Sequence, residues 1–216
     1  SGRLGLDWTP ARNHSFYIGV SRGVRAGGPN SSLLASLPSV QLNVASTLAA
    51  LGIFEDESLL NTELGWRWQS AEGSARSALT LFSMERKDQQ VRQSVTLPRD
   101  DGSTLFIDFT DNAARGHNRG LEWQGSWMPR SDVQVNATLG YLRARFDDYT
   151  TAAGTDLSGR AQPQAPEWMG SLGLTWQVTS QWFARADWTA MDSYFFSDRH
   201  STLSPSRQLL NGRIEW

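Results

Sequence analysis

The chain has 216 residues, 39% hydrophobic and 19% charged, with ten Trp, nine Phe, four Tyr and nineteen Gly. A formal charge of -2 gives no electrostatic case for nucleic acid, the absence of cysteine excludes disulfides and thiolate metal sites, and no run of about eighteen apolar residues offers a transmembrane helix. A transmembrane β-barrel passes all three filters, because its strands are only half apolar and give no hydropathy peak.

Apolar–polar alternation predicts nine strands. The first covers about 3–9, and the turn Pro10–Asn13 leads into a second near 14–24. A long connection, 25–57, follows, within which 43–51 (NVASTLAAL) reads as a short helix. The third strand, about 58–70, sets Leu60, Thr62, Leu64, Trp66 and Trp68 on one face and Asn61, Glu63, Gly65, Arg67 and Gln69 on the other. The turn 71–74 opens a fourth strand over 75–95, and a loop near 97–103 precedes a long fifth strand ending at Met128. Residues 128–132 turn the chain into a sixth strand, about 132–149. This hairpin alternates cleanly on both sides of its turn. Leu121, Trp123 and Trp127 oppose Glu122 and Gln124, and Val133, Val135, Ala137, Leu139 and Tyr141 oppose Gln134, Asn136 and Thr138. After a second long connection, 150–166, come a seventh strand near 167–177, an eighth from Trp182 and a ninth over 207–216.

Short turns near 10–13, 71–74, 129–132 and 178–181 alternate with longer connections near 25–57, 97–103, 150–166 and 197–206, as in a meander with short turns at one rim. Several strands exceed ten residues and are expected to project beyond a bilayer. Trp66, Trp68, Trp127, Trp176, Trp182 and Trp188 crowd toward the short-turn ends, where an indole can sit at a headgroup layer. Alternation alone also fits a soluble antiparallel β-sandwich with exposed charged faces. Strand length and tryptophan level favour the barrel.

Five segments then resemble, in order, the C-terminal part of the barrel of a TonB-dependent outer-membrane receptor. These are SRGVRAGGPN (21–30), ESLLNTELGWRWQ (57–69), LTLFSMERKDQQV (79–91), DNAARGHNRGLEWQG (111–125), and DLSGRAQPQAPEW (156–168) with RQLLNGRIEW (207–216). The resemblance implies an all-β, antiparallel transmembrane barrel meander, partial at about nine strands, with 1–216 as barrel and no plug domain. It implies a non-enzymatic importer in the outer membrane of a Gram-negative bacterium. The ligand would be scarce, such as a ferric siderophore, and no cofactor is implied. Implied partners are the N-terminal plug, the remaining barrel strands, the TonB complex acting through the plug, and outer-membrane lipid or lipopolysaccharide. With short turns in the periplasm, the first strand runs downward, so at least one upward strand is expected before it. A passive porin-like channel and a soluble antiparallel binding module are the alternatives.

Within that frame, Arg22, Arg25 and Asn30, where the second strand meets the long loop, are candidates to hold an anionic ligand. Glu63, Arg67, Glu122 and Arg185 are expected to face the lumen, pairing across the wall or holding the plug. Gly65 and Gly120 read as packing or curvature positions. His14, His117 and His200 lack ligand spacing, so no metal site is expected. His200 beside Ser201 does not make a catalytic triad.

Overall fold

The computed structural model describes residues 1–36, 49–99, 101–198 and 200–216. The strands are β1 (Gly2–Ala11), β2 (His14–Arg25), β3 (Gly28–Pro29), β4 (Ile53–Phe54), β5 (Glu57–Gln69), β6 (Ala75–Pro98), β7 (Thr104–Arg130), β8 (Val133–Tyr149), β9 (Trp168–Gln177), β10 (Phe183–Met191), β11 (Tyr194–Phe195), β12 (Leu203–Ser204) and β13 (Arg207–Glu215). A short helix, α1 (Ser31–Ser36), and a 3-10 turn at Ala50–Gly52 lie between β3 and β4. Nine strands form one antiparallel meander in the order β1-β2-β5-β6-β7-β8-β9-β10-β13; β3 pairs with β4 and β11 with β12 in two small ribbons. These nine are the nine expected from alternation. Residues 43–48 of the helix expected over 43–51 lie outside the described residues. The six-residue helix α1 had no counterpart in the sequence reading.

Register turns the alternation of single strands into continuous rows. Leu6, Ile18, Leu64, Leu81, Leu121, Tyr141 and Trp168 are successive cross-strand partners along one face. On the other face Tyr17, Gly65, Thr80, Glu122, Gly140 and Met169 form the neighbouring row. A one-residue slip anywhere would move every side chain of a strand to the wrong face, so the shared pattern pins the register. The apolar face stays open to its surroundings: Leu6 is 68% exposed, Leu64 49% and Leu172 48%. Such a contiguous apolar sheet face needs a cover that the nine strands do not supply.

The short turns share one rim and are tied together by main-chain bonds. The amide of Gln69 donates to Asn13 O, that of Met128 to Ser74 O and that of Gln177 to Asp132 O, at 2.7–3.1 Å. In the 70–74 turn, Gly73 takes φ +74°, a left-handed conformation that a side chain would strain, and Ser70 Oγ accepts from the Ala75 amide. At the other rim, β6 and β7 continue as a tall hairpin of 24 and 27 residues. A barrel strand needs only about 9–11 residues to cross a bilayer, and both of these strands are more than twice that length. The loop expected at 97–103 is the tight tip of this hairpin, and Gly102 turns it with φ +81°.

The buried core of the described residues lies at this end. Leu33 of α1, fully buried, packs with Leu97, Ile107 and Phe109 of the tall hairpin. A second cluster joins Val91, Ala114, Phe146, Tyr149 and Leu157. Burial is thus concentrated where loops fold against strands, while the sheet between the two rims keeps one apolar and one polar face.

Candidate functional site

The polar face is built from alternate positions of every strand. Glu63 lies opposite Gly19 and Phe82, Arg67 opposite Ser15 and Ala78, Glu122 opposite Thr80 and Gly140, and Arg185 opposite Thr175 and Arg213. All four therefore share one face with Gln124, Asn136 and Thr138. Two concavities of about 550 and 570 Å³ open on this face, the first beside Arg67 and Gln124, the second beside Glu122 and Thr138. Their charges are steadied by near neighbours. Asn61 Nδ2 donates to Glu63 Oε1 at 2.6 Å, and Arg185 grips Asp187 through two bonds of 2.6 and 2.9 Å. The Arg67 guanidinium lies 5.3 Å from the centre of the Tyr17 ring.

Glycines let rings lie flat on this face. A Cβ on Gly65 would fall 1.8 Å from Tyr17 Cε1, so the tyrosine ring occupies the space above that residue, and its hydroxyl meets Thr80 Oγ1 at 3.1 Å. Phe82 covers Gly120 in the same way, with its Cζ 2.7 Å from where a Cβ would stand. Gly65 and Gly120 are packing positions in this arrangement.

The structure separates the three residues proposed around the long loop. Arg22 lies on the apolar face, between Val20 and Val24 and opposite Leu60. Arg25 lies on the other face and borders a concavity of about 880 Å³ with Gln90, Arg92 and Asp108. Asn30 is nearly buried, and its side-chain amide is used inside the fold. Its Nδ2 donates to Leu51 O and Thr110 O, both at 2.7 Å, and its Oδ1 accepts from the Thr110 amide at 2.8 Å.

Asn30 belongs to a set of polar staples that sequence reasoning missed. Gln90 Nε2 donates to the carbonyls of Arg25, Ala26 and Glu55, while its amide donates to Glu57. Glu57 also pairs with Arg86 at 3.2 Å. Asn112 exchanges bonds with both main-chain groups of Glu55 and donates to Asp88 O. Asp88 takes φ 53°, at a register shift in the β6–β7 pair. The Ala152 amide donates to Gln93 Oε1, and the Tyr149 hydroxyl to Asp198 at 2.7 Å. The connections between β2 and β5 and between β8 and β9 are thereby tied to the tall hairpin, and the one between β10 and β13 is tied to β8. The available signal was strand length: strands of 24 and 27 residues rise past their neighbours and leave faces for loops to cover.

Each of the three histidines has a polar partner. His14 Nδ1 accepts from Trp66 Nε1 at 3.1 Å, and His117 bonds Asp147 at 2.6 Å. His200 Nδ1 lies 2.7 Å from Ser197 Oγ. Among the described residues, no three His, Asp or Glu side chains gather as a metal site.

Comparison with known proteins gives the wall its setting. A family model described as TonB dependent receptor-like, beta-barrel, matches residues 1–216. The chain belongs to the TonB-dependent receptor β-barrel family. Among solved structures, it is similar to the ferric yersiniabactin uptake receptor FyuA from Yersinia pestis, with a TM-score of 0.73 and 16% identity over 99% of this chain and 29% of that one. It is also similar to the siderophore receptor PiuA from Acinetobacter baumannii (TM-score 0.70, 15% identity, 98% of this chain and 28% of that one). The copper transporter OprC matches at TM-score 0.64 and 17% identity over 97% of this chain and 30% of that one. No curated protein sequence matches the chain as a relative. The chain thus spans less than a third of each of these proteins, and at such identities the likeness is one of fold. The family is one of outer-membrane receptors and transporters, and nine strands of antiparallel sheet are the part of its barrel seen here.

Proposed function

We propose that this chain forms part of the wall of an active importer in the outer membrane of a Gram-negative bacterium, with a scarce chelate such as a ferric siderophore as its cargo. The carrying observation is the separation of faces over nine registered strands, apolar on one side and polar on the other, within a family match over the whole chain. The apolar face meets outer-membrane lipid. The polar face, with Glu63, Arg67, Glu122 and Arg185, lines the lumen and contacts a plug through which the TonB complex acts. Further strands complete the barrel beside β1 and β13. The short-turn rim is periplasmic and the stapled loops are extracellular.

On this reading Arg25 offers a guanidinium to an anionic chelate at the loop concavity. Asn30 serves the same site indirectly, by holding the connection that carries Arg25 against Thr110. Ferric citrate, ferric catecholate and ferric hydroxamate uptake by iron-starved cells tests the proposal, comparing cells with and without the gene and with and without TonB. Uptake of one chelate that requires both supports it. Uptake that ignores TonB and rises linearly with concentration marks a passive channel instead.

A further inference from the structure

The apolar face ends at a definite level. Along β8 its residues run Val133, Val135, Ala137, Leu139 and Tyr141, and then Arg143. Along β7 they run Trp127, Gly125, Trp123 and Leu121, and then Arg119. The ten residue steps from Val133 to Arg143 span ~34 Å of strand, or ~26 Å of height at a tilt of ~40°, against an apolar band of about 25 Å in such barrels. Tyr141 and Trp168, with ring centres 4.6 Å apart, sit one row below the arginines, at the level of an interfacial girdle.

Arg119 and Arg143 are direct cross-strand partners, and both are exposed. Like charges placed opposite one another destabilise a sheet unless a counter-charge joins them. Little is supplied from within. Glu85 comes only to 4.0 Å from Arg119, and Arg143 has no ion pair among the described residues. Neighbouring cations are already engaged: Arg145 with Glu167 at 3.3 Å, Arg115 with Asp148 at 3.4 Å and His117 with Asp147. Arg22 and Lys87, exposed on the same face slightly above, have no ion pair among the described residues either.

We propose that Arg119 and Arg143 bind the phosphate of an anionic lipid in the outer leaflet, with Arg22 and Lys87 adding positive charge farther along the same face. The proposal rests on the membrane reading given above and names a lipid site within it. Two guanidinium forks side by side match the oxygens of one phosphate. The acyl chains of the same lipid would run down over Tyr141, Leu139 and Leu121, directly below the cations. A soluble anion would use only the upper half of this surface.

The test titrates the detergent-solubilised protein with lipid A carrying its phosphates, with dephosphorylated lipid A and with inorganic phosphate. In parallel, the protein is inserted into vesicles with brominated acyl chains, which quench lipid-facing tryptophan. The expected result is that Arg119→Gln with Arg143→Gln weakens phosphorylated lipid A binding about tenfold, from two lost charge-assisted contacts. Each single substitution should weaken it about threefold, which keeps the test available if the double variant folds poorly. Arg76→Gln, on the polar face, should change nothing. Unchanged binding by the variants, with quenching retained, overturns the site while the membrane reading stands. Absence of quenching in the unaltered protein overturns both. Inorganic phosphate binding as tightly as lipid A overturns the assignment to lipid.

Discussion

Gly65→Ala is expected to destabilise the wall out of proportion to one methyl group. The added carbon would stand 1.8, 2.2 and 2.5 Å from Cε1, Cζ and Cδ1 of Tyr17, where carbon–carbon contacts normally settle near ~3.5–4.0 Å. The ring must therefore leave its seat. Leaving it breaks the 3.1 Å bond to Thr80, worth about 0.5–1.5 kcal/mol, and the contact with Arg67, worth about 0.5–1 kcal/mol at an open site. Against this stands about 0.5–1 kcal/mol that alanine gains over glycine in a strand through lower chain entropy. Lost ring packing adds to the cost, leaving a net loss of about 1–2 kcal/mol. Urea unfolding of the detergent-solubilised protein, followed by tryptophan fluorescence, measures it. The sharper assay repeats Gly65→Ala in a Tyr17→Ala background, where the ring is gone and the same change should become neutral or stabilising. If the cost of Gly65→Ala is equal in both backgrounds, the ring-on-glycine account is refuted.

Three further outcomes concern the rim of longer loops. Leu33→Ala should cost about 2–5 kcal/mol locally by leaving a void against Leu97, Ile107 and Phe109. It should raise protease cleavage within the connection between β2 and β5 while leaving the transmembrane fold intact on gel-shift assay. At the hairpin tip, Ser103 Oγ and then the Ser103 amide donate to the Asp101 carboxylate and hold its pKa below the ordinary value. That contribution is fully present above the ordinary carboxylate pKa and is lost as pH falls through the lowered one. Amide exchange at Ser103 should accordingly quicken only under strongly acid conditions. Finally, Arg25→Gln should reduce uptake of the cognate chelate about tenfold with stability unchanged, whereas Arg22→Gln, on the apolar face, should leave uptake unaffected. Equal effects from the two would contradict their separation by the sheet.

Arg22 and Arg25 also mark the reach of sequence reasoning. Both fall in one short basic segment, and nothing in that segment says where strand β2 ends and the loop begins. Parity along β2 puts them on opposite faces once the pairing Arg22 with Leu60 and Arg25 with Glu57 is known. Asn30 was legible as a polar residue at a loop entrance. Its real surroundings include Thr110, eighty residues away, and no local pattern announces so distant a partner. The same holds for Gln90, whose amide collects three carbonyls from the long connection and its return.

What the sequence by itself determined was the set of nine strands, their turns and the two faces. Side-chain direction has a period of two along a strand, so alternation declares a face without reference to any partner. Only the tertiary structure decided which residues stand beside one another across strands. Tyr17 above Gly65, Asn30 against Thr110, and Arg119 beside Arg143 each depend on register and loop docking. Those are sums over many weak long-range contacts, and their partners are written in separate parts of the chain.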